Sequence, residues 1–233
     1  AVKGASYDKE TGIARYSAAV EKPSYTYATG SSAVSLTVSF SLDMSTMPKS
    51  PFTDVVAGSW YFDAALYASS HNLMLGTSPT EFSPNITMTR GMLVTVLYRM
   101  NGSPSVSGKT PFTDVRTDEW YSAAVLWAYQ NGIVTGMSDT TFAPINNVTR
   151  EQMATILFRY TKTAAPDKAK ASADLSGFAD AGSVNDWAVD AMRWAVGQKL
   201  IAGITLEQSV YLQPRGNATR AQAATVLTRY YAQ

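Results

Sequence analysis

The stretch Phe112-Thr113-Asp114-Val115, running on through Trp120-Tyr121, Gly136, Phe142-Ala143-Pro144 and Thr149-Arg150, decides the fold because the same chain writes it twice more. Sixty residues earlier the landmarks stand as Phe52-Thr53-Asp54-Val55, Trp60-Tyr61, Gly76, Phe82-Ser83-Pro84 and Thr89-Arg90. They return as Phe178-Ala179-Asp180, Trp187-Ala188, Gly203, Leu212-Gln213-Pro214 and Thr219-Arg220, with the Gly-to-Pro step lengthened from eight residues to eleven. Self-similarity at such a period is the mark of a repeat architecture.

Each copy carries two helical patterns. In the first, Trp60, Ala64, Tyr67 and Ala68 recur as Trp120, Ala124, Trp127 and Ala128 and as Trp187, Ala191, Trp194 and Ala195, a spacing that makes one apolar helical face. This helix is expected to end near Asn72, Gly132 and Lys199 in a left-handed turn, with Leu73, Ile133 and Leu200 closing the hydrophobic contact. The second pattern is Leu93, Val96, Leu97, Met100, repeated as Met153, Ile156, Leu157, Tyr160 and as Ala223, Val226, Leu227, Tyr230. The copies are bounded at 52–101, 112–162 and 178–233 by a Gly/Ser/Pro-rich linker over 101–111 and a coil or weakly helical spacer over 161–177.

Residues 1–43 differ in kind. Val34, Leu36, Val38, Phe40 and Leu42 alternate with mostly Ser and Thr, the period of a half-buried strand, and Ile13 to Val20 and Tyr25 to Thr29 read as two shorter ones. The segment is expected to be the end of an upstream β domain or an arm used in assembly. The chain opens on Ala1 without Met, which reads as a processed or excised piece.

Composition narrows the chemistry. The 233 residues hold 19 Lys plus Arg against 18 Asp plus Glu, one His and no Cys, so thiol nucleophiles, disulfides and Cys-based metal sites are excluded. With only His71 and a formal charge of +1, a histidine metal cluster and an electrostatic grip on nucleic acid are disfavoured, and no cofactor or metal is expected. His71 reads as a solvated residue at a helix end. No apolar run reaches the ~18 residues of a membrane span. Nucleophile elbows, phosphate loops and zinc-protease motifs are missing, and three near-equal copies supply equal environments where acid/base chemistry needs opposed ones, so binding rather than catalysis is expected.

Thr89, Thr149 and Thr219 are placed as N-caps of the second helices, with Gln152 and Gln222 completing capping boxes that Met92 cannot. Arg90, Arg150 and Arg220 then occupy the first helical position, against the helix dipole by roughly 0.3 to 1 kcal/mol each. Two offsets are open. One is an internal ion pair with Asp54, Asp114 and Asp180; the other is an anionic ligand at the helix N-terminus. Gly76, Gly136 and Gly203 follow the first helix and call for positive φ or close backbone approach, by a tight turn or by a ligand. For Trp60, Trp120 and Trp187 a core position is the ordinary reading, and a sugar platform at a groove edge the other.

Taken in order and three times, Phe-x-Asp-Val, Trp-Tyr, Gly with Pro eight residues on and an aromatic two before it, and Thr-Arg resemble the S-layer homology family over residues 51–233. The resemblance implies an all-α unit, three helix-loop-helix repeats around a pseudo-threefold three-helix bundle, with ligand grooves between neighbouring copies. It also implies non-covalent anchoring at the extracellular cell wall through an anionic secondary cell-wall polysaccharide, often bearing a pyruvylated amino sugar. Carried over by position, the ligand-binding residues are Asp54, Trp60, Gly76 and Arg90; Asp114, Trp120, Gly136 and Arg150; and Asp180, Trp187, Gly203 and Arg220. The family's Thr-Arg-Ala-Glu stands here as Thr-Arg-Gly-Met, Thr-Arg-Glu-Gln and Thr-Arg-Ala-Gln, and copy three lacks the Trp-Tyr pair, so unequal grooves are expected. The alternative function is a structural subunit whose repeats and β arm assemble into a layer or filament, with copies of the chain as partners.

Overall fold

The computed structural model describes the backbone of residues 2–8 and 13–18 and, with side chains, residues 50–170 and 172–232. Strands β1 (Val2–Asp8) and β2 (Ile13–Ala18) form an antiparallel pair in which Asp8 faces Ile13 and Ser6 faces Arg15. The expected strands at Tyr25 to Thr29 and Val34 to Leu42 lie outside the described residues.

Six helices follow in three pairs: α1 (Phe62–Ser70) and α2 (Arg90–Met100), α3 (Ser122–Gln130) and α4 (Arg150–Ala164), α5 (Val189–Gly197) and α6 (Arg220–Tyr231). The first helix of each pair stops where the sequence says it should. Asn72, Gly132 and Lys199 take φ of 55°, 67° and 59°, and the N–H of Leu73, Ile133 and Leu200 reaches back to the carbonyls of Ala68, Ala128 and Ala195 at 2.8 to 2.9 Å. Leu73, Ile133 and Leu200 are buried beside these turns.

The second helices start as expected too. Thr149 and Gln152, and Thr219 and Gln222, form complete capping boxes, whereas Thr89 accepts only from the Met92 N–H. The linker after copy two is shorter than its composition suggests, because α4 runs to Ala164 and a 3-10 turn follows over Pro166–Lys170. The three extra residues of copy three form a small hairpin, β3 (Ile204–Leu206) with β4 (Ser209–Tyr211).

Packing joins the copies cyclically. Helix α2 lies against α3, α4 against α5, and α6 returns to α1, so each second helix is buried by the first helix of the next copy. At the start of α2, α4 and α6 the backbone closes a ring: Met88 donates to Ala218 at 2.8 Å, Ala218 to Val148 at 2.9 Å and Val148 to Met88 at 2.9 Å. All three side chains are fully buried. Leu93, Leu97, Met153, Leu157, Ala223 and Leu227 continue the central core. The unit is therefore helical with threefold pseudosymmetry, preceded by a short β pair.

Candidate functional site

The site is built on the seams between copies. Arg90 opens α2 in copy one, but its Nε donates to the Phe142 carbonyl of copy two at 2.8 Å. Arg150 likewise donates to Leu212 of copy three at 2.7 Å, and Arg220 to Phe82 of copy one at 2.8 Å. These side chains are only 5%, 6% and 5% exposed. Burial pushes the Arg90 guanidinium down to about 10 against the opposing pull of Asp114, and Arg150 and Arg220 are lowered for the same reason against Asp180 and Asp54. Arg90 and Arg220 also sit over the Phe142 and Phe82 rings at 4.6 and 4.8 Å. Leu212 removes that contact for Arg150.

The expected ion pair within a copy does not form. Among the described residues the salt bridges are Arg116 with Asp118 and Lys170 with Asp167, both exposed. Asp114 instead spans the loop of its own copy, accepting from the N–H of Phe142 at 2.9 Å and of Ala143 at 2.7 Å. Asp54 holds Phe82 and Ser83, and Asp180 holds Leu212 and Gln213, in the same way. The physical reason is that a carboxylate saturated by two backbone donors fixes the loop whose carbonyl then receives the neighbouring Arg.

Nor is the helix N-terminus an open anion site. The Arg90 N–H is taken by Asn146 at 2.9 Å and the Gly91 N–H by Pro144 at 2.8 Å, with Gly216 and Pro214 serving α4 and Ile86 and Pro84 serving α6. Neighbouring carbonyls have satisfied the donors that an unpaired helix would offer a ligand. What remains for an anion is the guanidinium itself. Among the described residues, the terminal nitrogens of Arg90 and Arg150 make no hydrogen bond to protein.

Arg90 and Arg150 each line a groove. The Arg90 groove, about 360 Å³, is completed by Val134 to Met137 and α4 of copy two and by Trp187 of copy three. The Arg150 groove, about 480 Å³, is completed by Leu200 to Ile204 and α6 of copy three and by Trp60 of copy one. A second cation, Arg159 or Arg229, lines each groove from the helix face, along with Gln152 and Thr155 or Gln222 and Thr225. Thus both grooves take their Arg, their Gly loop and their Trp from three different copies.

The core expectation for the tryptophans is overturned. Trp60, Trp120 and Trp187 are 66%, 57% and 54% exposed. The first helices begin two residues beyond them, at Phe62, Ser122 and Val189, so the indoles sit in the preceding turn rather than on the buried stripe. Trp60 and Trp120 stand edge-on to Tyr61 and Tyr121 at 5.3 and 5.1 Å. His71 is also not a solvated end: it is half-buried, stacked on Tyr67 at 3.9 Å, with Nδ1 2.9 Å from the Tyr67 carbonyl.

Gly136 and Gly203 have φ of 83° and 80°, as a left-handed turn demands. A Cβ on Gly136 would lie 2.4 Å from the Ser138 carbonyl and 2.6 Å from the Phe112 ring, so the close approach is made by the chain's own loop. Gly76 meets the same neighbours, Ser78 and Phe52, without a positive φ. There the Leu75 carbonyl accepts from Arg220 Nη2 at 2.6 Å, and the third guanidinium is thus tied at both ends. The site is accordingly unequal. Arg90, Arg150, Trp60, Trp187, Gly136 and Gly203, named from sequence, line these two grooves; Arg159 and Arg229, one residue before the end of the apolar stripe, could have been added by aligning them with Arg99.

Among the described residues there is no cluster of acidic or His side chains able to hold a metal ion, and no helix long and apolar enough to cross a membrane.

Comparison with known proteins agrees with this triplication: the S-layer homology domain matches residues 51–91, 111–154 and 177–224. The chain belongs to the S-layer homology family. Its three S-layer homology repeats are similar to part of an endoglucanase from Bacillus sp. (strain KSM-635), 34% identical over 178 residues covering 76% of this chain and 18% of that protein. An amylopullulanase of Thermoanaerobacterium thermosulfurigenes is 28% identical over 76% of this chain and 9% of its own length. The surface-layer 125 kDa protein of Lysinibacillus sphaericus is 32% identical over 66% of the chain and 12% of its own. The chain therefore spans less than a fifth of the length of these relatives. Enzymes and a layer protein share the same repeats, which marks them as a cell-surface module.

Proposed function

We propose that the S-layer homology unit anchors whatever it is attached to at the cell wall, by binding an anionic wall polysaccharide in the Arg90 and Arg150 grooves. The observation that carries this reading is a buried Arg lining one groove with an exposed Trp, twice in one molecule. A buried cation that burial disfavours gains most from an anion that restores its lost interactions, and the indole offers an apolar face to a sugar ring. The family resemblance points to a pyruvylated amino sugar, whose carboxylate would meet the Arg while the ring lies along the Trp. Arg220 contributes less, because the Leu75 carbonyl already occupies that guanidinium.

The chain acts by binding and not by chemistry. Its similarity to two polysaccharide-degrading enzymes extends over a small fraction of each, which fits a shared attachment module beside different cargo. The test is co-sedimentation of the chain with purified wall sacculi before and after mild acid removal of ketal-linked pyruvate. Retention that disappears with the pyruvate is expected; retention unaffected by the treatment overturns the proposed ligand, and no retention overturns the anchor.

A further inference from the structure

In α2 and α4 the second residue meets the turn that carries the next copy's Trp. In α2 this residue is Gly91, where a Cβ would lie 3.0 Å from the Pro144 carbonyl and 3.4 Å from both Cβ and Cδ1 of Tyr121. A Tyr after the Trp therefore leaves little room beyond a Cβ at that helix position, and α6 has only Ala221 there, in the copy whose neighbour bears Tyr61. In α4 both members of the pair are exchanged together. The Tyr has become Ala188, and the helix residue has become Glu151.

Glu151 is 2% exposed, and both of its oxygens are used by one residue: Oε2 accepts from the Asn185 N–H at 3.1 Å and Oε1 from Asn185 Nδ2. Asn185 in turn accepts from Arg215 Nη2 at 3.3 Å and opens the 3-10 turn Asp186–Ala188, which bears Trp187. The loop from Phe178 to Trp187 is one residue longer than its counterparts from Phe52 to Trp60 and Phe112 to Trp120. Trp60 and Trp120 lean on Tyr61 and Tyr121, but among the described residues no aromatic ring stands beside Trp187. The backbone that carries it is fastened at Asn185.

We infer that Glu151 is the positioning residue of the Trp187 wall and thereby sets how tightly the Arg90 groove, and only that groove, holds its ligand. The binding consequence rests on the anchoring function proposed above; the placement of Trp187 does not. A carboxylate with two donors from one residue fixes both distance and orientation, and a neutral amide can reproduce only one of the two bonds.

The experiment uses the full chain labelled with 15N, reading the five tryptophan indole N–H resonances alongside binding to wall sacculi. Trp187→Phe assigns the resonance of interest. Glu151→Gln is expected to shift or broaden the Trp187 resonance while those of Trp60 and Trp120 stay in place. Introduced into Trp60→Ala, which disables the Arg150 groove, it should weaken binding about fivefold, the scale of one lost ordinary hydrogen bond. Introduced into Trp187→Ala it should change nothing further. Asn185→Ala, which cuts the same link from the other side, should repeat the pattern and serves if the Glu151 variant folds poorly. An unmoved Trp187 resonance, or equal losses in the two backgrounds, overturns the inference. If the parent chain does not bind sacculi, the anchoring function falls and the resonances alone decide the role of Glu151.

Discussion

Arg90 and Asp114 act on the same residue from opposite sides: the carboxylate takes the N–H of Phe142 at 2.9 Å, and the guanidinium donates to its carbonyl at 2.8 Å. The charges thus interact through a polarised peptide-bearing residue instead of touching. The arrangement recurs for Arg150 and Asp180 across Leu212 and for Arg220 and Asp54 across Phe82. In each case the Arg and the Asp belong to different copies.

Asp114→Asn should therefore be a stability variant before it is a binding variant. It replaces one of two acceptors with a donor pointed at a half-buried N–H, a loss of about 1 to 3 kcal/mol and a fall of several degrees in melting temperature. Asp118→Asn, which breaks an exposed pair with Arg116, is the control and should melt with the parent. Calorimetry on both decides it, and equal melting temperatures would remove the loop-spanning role of Asp114.

The tryptophans should behave in the opposite way. Because all three indoles are more than half exposed, Trp60→Ala, Trp120→Ala and Trp187→Ala are expected to melt within about a degree of the parent. Trp60→Ala and Trp187→Ala should each weaken sacculus binding about fivefold or more, and Trp120→Ala should weaken it least. A pull-down titration ranks them; Trp120 as the strongest contributor would count against the unequal grooves.

Gly136→Ala tests the loop directly. With φ at 83° and the Ser138 carbonyl 2.4 Å from the added Cβ, the substitution demands a backbone shift, and a loss of more than about 1 kcal/mol is expected in urea unfolding. Gly132→Ala, at φ 67° with open space around its Cβ, should cost less.

At alkaline pH the far end of the bundle should weaken first. Burial raises the Tyr160 hydroxyl above its ordinary value of 10.0, helped by Tyr230 and Tyr231, and burial raises Tyr230 against a hydrogen bond from Thr161. Above pH 10 the folded chain then keeps protons that the unfolded chain has lost, so their contribution is whole below that pH and declines as pH rises through the folded values. Tyr160→Phe should narrow the difference in urea midpoint between pH 8 and about pH 10.5. The comparison separates tyrosine from the buried arginines, whose lowered values act in the opposite direction.

What the sequence made legible was whatever is settled within a few residues. Thr149 with Gln152, and Asn72 ahead of Leu73, are short-range devices whose residue types name their geometry. Lys199 takes the same left-handed turn although its side chain gives no hint of it, and only alignment with Gly132 reveals it. Trp60 was misplaced because its spacing to Ala64 and Tyr67 fits a helical stripe, while the helix starts only at Phe62. The ion pair expected between Arg90 and Asp54 does not form, and the Asp nearest in role, Asp114, belongs to the next copy and acts through Phe142: equal spacing in all three repeats identifies Asp54, Asp114 and Asp180 as equivalent but carries no information about the direction in which the ring closes.

That closure bears on when the protein becomes competent during its own production. Arg220 reaches a carbonyl 138 positions earlier in the chain, and the Arg150 groove joins Trp60 to residues as late as Arg229. Even the Arg90 groove waits for Trp187. Such long separations fold slowly and late, because distant segments must meet before any of them is rewarded. A chain still being made thus has helices before it has grooves, and the Arg150 groove is the later of the two, complete only when α6 has arrived.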